Sequence, residues 1–150
     1  MRVPQNEMVF GDYNGWPLAM EQQDSAPARV QAALTAAGID ARIEEFPSST
    51  RTAQEAAATV GTTVGQIVKS LVFLAGDSPV VALVSGVNRL DTQRLAALCG
   101  ATIGKADADA VRHATGYSIG GVPPIGFPAP IPTFVPIAPE LLVQCAARPA

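Results

Sequence analysis

The stretch Ile67-Val68-Lys69-Ser70-Leu71-Val72-Phe73-Leu74, followed by Gly76-Asp77-Ser78 and then Pro79 to Ser85, decides the fold. Both arms are rich in aliphatic and β-branched residues, and the triplet between them carries the glycine that a tight turn uses. The pair predicts a β-hairpin at the centre of a sheet. One residue is out of place. Lys69 lies inside the apolar run and, with the two-residue repeat of a strand, shares a face with Ile67, Leu71 and Phe73. A buried ammonium is costly unless it is hydrogen-bonded or paired. Lys69 therefore either snorkels out at the strand end or lines a pocket, donating to a carbonyl or phosphate oxygen.

Upstream of the hairpin, Val30, Ala33, Leu34 and Ala37 repeat at helical spacing from Ala28, with Gly38 as the stop. Ile39 to Phe46 reads as a strand ended by Pro47, and Ser48-Ser49-Thr50 as a polar turn. Thr52-Ala53-Gln54-Glu55 has the spacing of a capping box and opens a short Ala-rich helix that closes near Gly61, while Thr63 caps a further turn. Downstream, Gly86-Val87-Asn88-Arg89 reads as a connection, and Asp91 as the cap of a helix carrying Leu95 and Leu98 and stopped at Gly100. A short strand at Ala101–Ile103, a helix from Asp107 to Ala114 and a terminal helical turn or strand at Glu140–Cys145 complete the reading. Hairpins mixed with separate short helices favour an α+β fold, a mixed and largely antiparallel sheet with flanking helices, over a doubly wound one.

Composition narrows the function. A net charge of −3 with no Lys/Arg cluster argues against a broad phosphate footprint, so any RNA contact is small and confined to an end of the RNA; no DNA partner is expected. Cys99 and Cys145 form no CxxC pair, and the one histidine, His113, stands alone, so no metal site is expected. No apolar run is long enough to cross a membrane, and residues 1–25 lack both a sustained period and the apolar core of a signal peptide. They read as an extension, flexible or loosely docked, ahead of one domain at residues 26–150; a cytoplasmic protein is the expectation.

The remaining chemistry lies in Gly116-Tyr117-Ser118-Ile119-Gly120-Gly121-Val122-Pro123-Pro124-Ile125-Gly126. Gly120 and Gly121 open backbone shapes closed to other residues, and Pro123 and Pro124 stiffen the chain just beyond them. Such a loop is either a rigid surface turn or a fixed set of N–H donors for a carbonyl oxygen that becomes an oxyanion. No nucleophile–base pair accompanies it: neither Ser70 nor Ser118 has a histidine nearby in sequence, and His113 falls on a polar helix.

Val64 to Phe73, Leu83-Val84-Ser85-Gly86 and Gly116 to Gly126, in that order, resemble the YbaK/prolyl-tRNA-synthetase-associated editing domains over roughly residues 28–132. The resemblance is carried by the strand lysine, Lys69, and by a GxxxP loop, Gly120 to Pro124. It implies a deacylase acting in trans on mischarged tRNA, such as a proline tRNA carrying a small or near-cognate amino acid, without metal or cofactor. Lys69 would hold the 3′-terminal group, and Gly120 and Gly121 would supply donors around the ester. Ser70, Ser85, Gly86, Val122, Pro123, Pro124 and Gly126 would contact substrate, and the terminal ribose 2′-hydroxyl would assist. The partners implied are the acceptor end of aminoacyl-tRNA and an aminoacyl-tRNA synthetase. The chain departs from the family pattern in two places: about twenty residues are missing after Phe134, and Phe127 stands where many relatives carry histidine. Two other readings stay open. One is a catalytically degenerate module that binds tRNA ends or a synthetase without turnover; the other is a homodimer formed through an apolar sheet face that the shortened tail leaves uncovered.

Overall fold

The computed structural model describes residues 25–46, 50, 52–136 and the backbone of 142–144. The expected extension, apart from Ser25, the strand end at Pro47 and the thiol of Cys145 lie outside the described residues.

The hairpin forms as its sequence demands. Strands β1 (Val68–Ala75) and β2 (Ser78–Ser85) pair antiparallel from Val68↔Ser85 to Ala75↔Ser78 around the two-residue turn Gly76-Asp77. Two short strands extend the sheet. β4 (Ile103–Lys105) runs antiparallel to the far end of β1, and β5 (Thr133–Phe134) runs parallel to β2, giving the order β4-β1-β2-β5. A separate ribbon joins β3 (Asn88–Leu90) to β6 (Leu142–Gln144). The mixed, mainly antiparallel α+β architecture is the one expected.

β2 is the buried centre. Val80, Ala82 and Val84 point to one face and Val81 to the other, and all are at most 3% exposed. Among the described residues four α-helices accompany the sheet: α1 (Ala26–Ala36), α2 (Ala53–Val60), α3 (Thr92–Cys99) and α4 (Ala108–Thr115). Their caps follow the sequence. Thr52 and Glu55 close the capping box of α2, Asp91 accepts from Gln93 and Arg94 at α3, and Asp107 accepts from Ala110 at α4. α1 starts two residues earlier than its apolar period, because Ser25 caps it and Pro27 is tolerated in the first turn.

Three expectations need correction. Ile39–Phe46 is not a strand: its backbone is clasped to α1, with Gln31 donating to Ala41 O and accepting from Ile43 N–H, so a helix side chain takes bonds that a ladder would have used. The strand expected at Ala101–Ile103 lies two residues later, since Ala101 N–H still bonds back to Ala96 O at the end of α3. Asn88 and Arg89 belong to strand β3 rather than to a connection, paired with a segment more than fifty residues away that local pattern cannot reveal. The terminal element, read as helical turn or strand, is the strand β6.

One buried polar residue ties α4 to the glycine-rich segment. Thr115, fully buried, donates to Val111 O at 2.7 Å and accepts the Tyr117 N–H at 3.1 Å. Thr115→Val would leave that N–H unpaired in the interior and should lower stability by about 1–3 kcal/mol. Thr115→Ser should lose less. Paired urea melts check both, and equal stability of Thr115→Val and the parent would contradict the assignment.

Candidate functional site

β1 is covered unevenly. β4 pairs only with Phe73, Leu74 and Ala75, so the first half of β1 has no strand neighbour on that side among the described residues. Gly86 N–H bonds to Ile67 O at 2.7 Å, which sets the parity of the hairpin: the peptide groups of Ile67, Lys69 and Leu71 point toward β2, and those of Val68 and Ser70 toward the open edge. Among the described residues, no hydrogen bond engages the edge-facing peptide groups of Val68 or Ser70.

A cavity of about 340 Å³ lies along this edge, within the roughly 300–1,000 Å³ range of small-ligand sites. One wall is Ile67 and the first part of β1, as far as Leu71; another is the cap Thr52 and the start of α2, with Ala53 and Ala56; the glycine loop contributes Gly120 and Val122. Thr50 completes the described lining, and no acidic side chain takes part in it.

Lys69 belongs both to the core face and to this cavity. Its cross-strand partner is the buried Val84, and its Nζ, half-buried, donates to Asn88 O at 2.9 Å. No carboxylate of the described residues pairs with it. The carbonyl fixes the ammonium and uses one of its three donors, leaving two for a ligand. Of the two readings of this lysine, the pocket-lining one describes its place.

The loop turns tightly beside it. Gly121 N–H donates to Ser118 O at 2.9 Å, and Gly120 sits at φ +83°, a conformation that explains the glycine although no neighbour crowds its Cβ position. The amides of Gly120 and Val122 carry no hydrogen bond among the described residues. The turn thus leaves two donors open beside the ammonium and uses the third to hold its own shape.

The structure therefore brings Lys69, Ser70, Gly120 and Val122 together and separates the other residues named from sequence. The Gly121 amide serves the turn. Ser85 Oγ donates to Gly65 O at 2.7 Å, anchoring the short turn Val64–Gln66. Gly86 packs under that turn: a Cβ there would overlap Val64 O and stand 3.0 Å from Ala53 Cβ. Gly126 faces Tyr117, whose hydroxyl donates to its carbonyl at 3.2 Å. Pro123 and Pro124 do not line the cavity; they continue the chain out of the turn. Sequence reasoning missed Thr50, Thr52, Ala53 and Ala56. The capping box at Thr52 marked where α2 begins, but not that its first turn would face the lysine.

An ammonium, the loop residues Gly120 and Val122 with their open amides, and an unpaired strand edge thus share one cavity, and no histidine or carboxylate lines it among the described residues. Comparison with known proteins gives the family. Residues 47–136 match the aminoacyl-tRNA editing domain, and the chain belongs to that family. A solved structure of a candidate trans-editing enzyme for prolyl tRNA synthetase is 48% identical, with a TM-score of 0.70 over 74% of this chain and 72% of its own. The solved hypothetical protein APE2540 is 33% identical, with a TM-score of 0.66 over 71% and 72% of the two chains. The uncharacterized protein YwhH of Bacillus subtilis is 32% identical over 85 residues, a match that spans about half of its length. Among the described residues, no helix is long and apolar enough to cross a membrane.

The crowding at Gly86 yields a prediction. Gly86→Ala must displace Val64 or Ala53, and should lower stability by about 1–3 kcal/mol, seen as an earlier urea midpoint. An unchanged midpoint would return Gly86 to the residues available for substrate contact.

Proposed function

We propose that this protein is a trans-acting aminoacyl-tRNA deacylase that hydrolyses the ester between a small, wrongly attached amino acid and the 3′-terminal ribose. The observation that supports it best is the convergence of Lys69 with the unengaged amides of Gly120 and Val122 on one cavity. Attack of water on the ester carbonyl places negative charge on its oxygen, and fixed N–H groups stabilise that charge without reorganising. In this reading the Gly120 and Val122 amides receive the oxyanion. Lys69, held by Asn88 O, binds the phosphate of the terminal nucleotide as a point charge.

The step balances without a protein nucleophile. Water supplies hydroxide to the acyl carbon, the bond from acyl carbon to ribose oxygen breaks, and the water proton reaches the departing ribose oxygen. The neighbouring 2′-hydroxyl assists that transfer. The methyl groups of Ala53 and Ala56 leave room for a small acyl side chain. A hydrophobic wall separates one methylene by only about 1–3 kcal/mol, so related small amino acids should be cleaved at graded rates. The partner is the acceptor end of a tRNA, with a synthetase as the source of the mischarged substrate.

The experiment is a deacylation screen over tRNAs charged with Ala, Ser, Thr, Cys and Pro, run with the parent and Lys69→Ala. At least one small-residue substrate should be cleaved well above the spontaneous rate, and Lys69→Ala should lower kcat/KM by about 10- to 100-fold, as expected for a lost hydrogen bond to a charged group. Binding of every tRNA with no cleavage would overturn the deacylase and leave a binding module. A folded Lys69→Ala protein as fast as the parent would remove the role given to Lys69.

A further inference from the structure

The Ser118–Gly121 turn has a second cavity beside it. Gly120 lines the first, and the adjacent Gly121 lines another of about 400 Å³ together with Arg29, Arg112, Tyr117 and Ser118. Two guanidinium groups on one small cavity repel each other unless something negative lies between them. Neither is paired with a carboxylate among the described residues: Arg29 Nη2 donates to Gly116 O at 2.9 Å and Arg112 Nη2 to Ser118 Oγ at 3.3 Å, both neutral acceptors. Each guanidinium has five N–H donors, so most remain open.

Local helix electrostatics explains only one of them. Arg112 is in the last turn of α4, where the helix dipole favours a cation. Arg29 is in the opening turn of α1, where the dipole opposes one, yet its guanidinium is held in place, 4.4 Å from the centre of the Tyr117 ring. Stacking on an aromatic face fixes the plane of an arginine while leaving its edge free for a planar, bidentate contact with an anion.

We propose that Arg29 and Arg112 clamp a phosphodiester of the RNA acceptor strand further upstream than the terminal phosphate given to Lys69. The assignment rests on the deacylase reading for its choice of anion. The two cavities are joined through consecutive residues of one turn, so a strand with its last ester in the first lays its preceding phosphates toward the second. The sequence has net charge −3 and no run of Lys and Arg to attract RNA, and two focused guanidinium groups supply a contact to it.

The test is a binding titration of an uncharged RNA hairpin with a single-stranded 3′ end, at several KCl concentrations, with the parent, Arg112→Ala and Arg112→Lys. Arg112→Ala should weaken binding several-fold and reduce the slope of log affinity against log salt by about 0.7, the share of one single-strand phosphate contact. Arg112→Lys should keep the slope and lose part of the affinity. In parallel, kcat/KM on an aminoacyl-RNA should fall relative to that on aminoacyl-adenosine, which has no upstream phosphodiester. Equal affinity and slope for parent and Arg112→Ala, or no RNA binding by the parent, would overturn the clamp. So would equal losses on the long and short substrates, which would mark Arg112 as structural. A parent that binds RNA with an Arg112-dependent slope but cleaves neither substrate would keep the clamp and overturn the deacylase instead.

Discussion

The ammonium of Lys69 is the constraint around which the rest of the site is arranged. A strand residue opposite the buried Val84 would ordinarily be aliphatic. A cation there survives only because Asn88 O accepts from it and because the neighbouring edge of β1 stays open to a cavity. Both conditions come from elements later in the chain. The Gly86-Val87 turn brings the Asn88 carbonyl back over the start of β1, and β4 stops short of covering the lysine's end of the strand.

The cavity joins an open strand edge to a glycine-bearing loop. Val68 and Ser70, whose peptide groups point to the open strand edge, line it on one side, and Gly120 and Val122, whose amides carry no hydrogen bond among the described residues, line it from the loop. Backbone donors are rigid and carry no net charge, so they stabilise developing negative charge without competing for protons. In the deacylase we propose, this takes the place of a nucleophile–base pair, and the substrate's own hydroxyl moves the proton. The phosphodiester clamp has the same economy: two side chains, each oriented by a neutral neighbour, stand in for a basic surface.

Much of this could be read in the sequence because the decisive signals are local. The apolar arms around Gly76-Asp77 specify the hairpin, capping residues specify the starts of α2, α3 and α4, and the lysine inside β1 and the Gly120-Gly121 pair mark the two sides of the site. The features that escaped depend on distant partners. β3 is a strand only because Leu142–Gln144 lies beside it, and Ile39–Phe46 is not one because Gln31 takes its bonds. The same limit separated Ser85, Gly86 and Gly126 from the cavity: they pack against Gly65, Val64 and Tyr117 in space, contacts that no local spacing shows. The Arg29–Arg112 cavity joins residues more than eighty positions apart, and no spacing rule would have connected them.

The most direct test of the central claim is amide NMR during titration with a non-hydrolysable 3′-amide analogue of aminoacyl-adenosine 5′-monophosphate, which carries both the acyl group and the terminal phosphate. If the loop's open donors receive the carbonyl oxygen, the Gly120 and Val122 N–H resonances should move downfield together with perturbation of the Lys69 side chain. Gly121, bonded to Ser118 O, should change little. Saturable binding that leaves Gly120, Val122 and Lys69 unmoved would contradict the account.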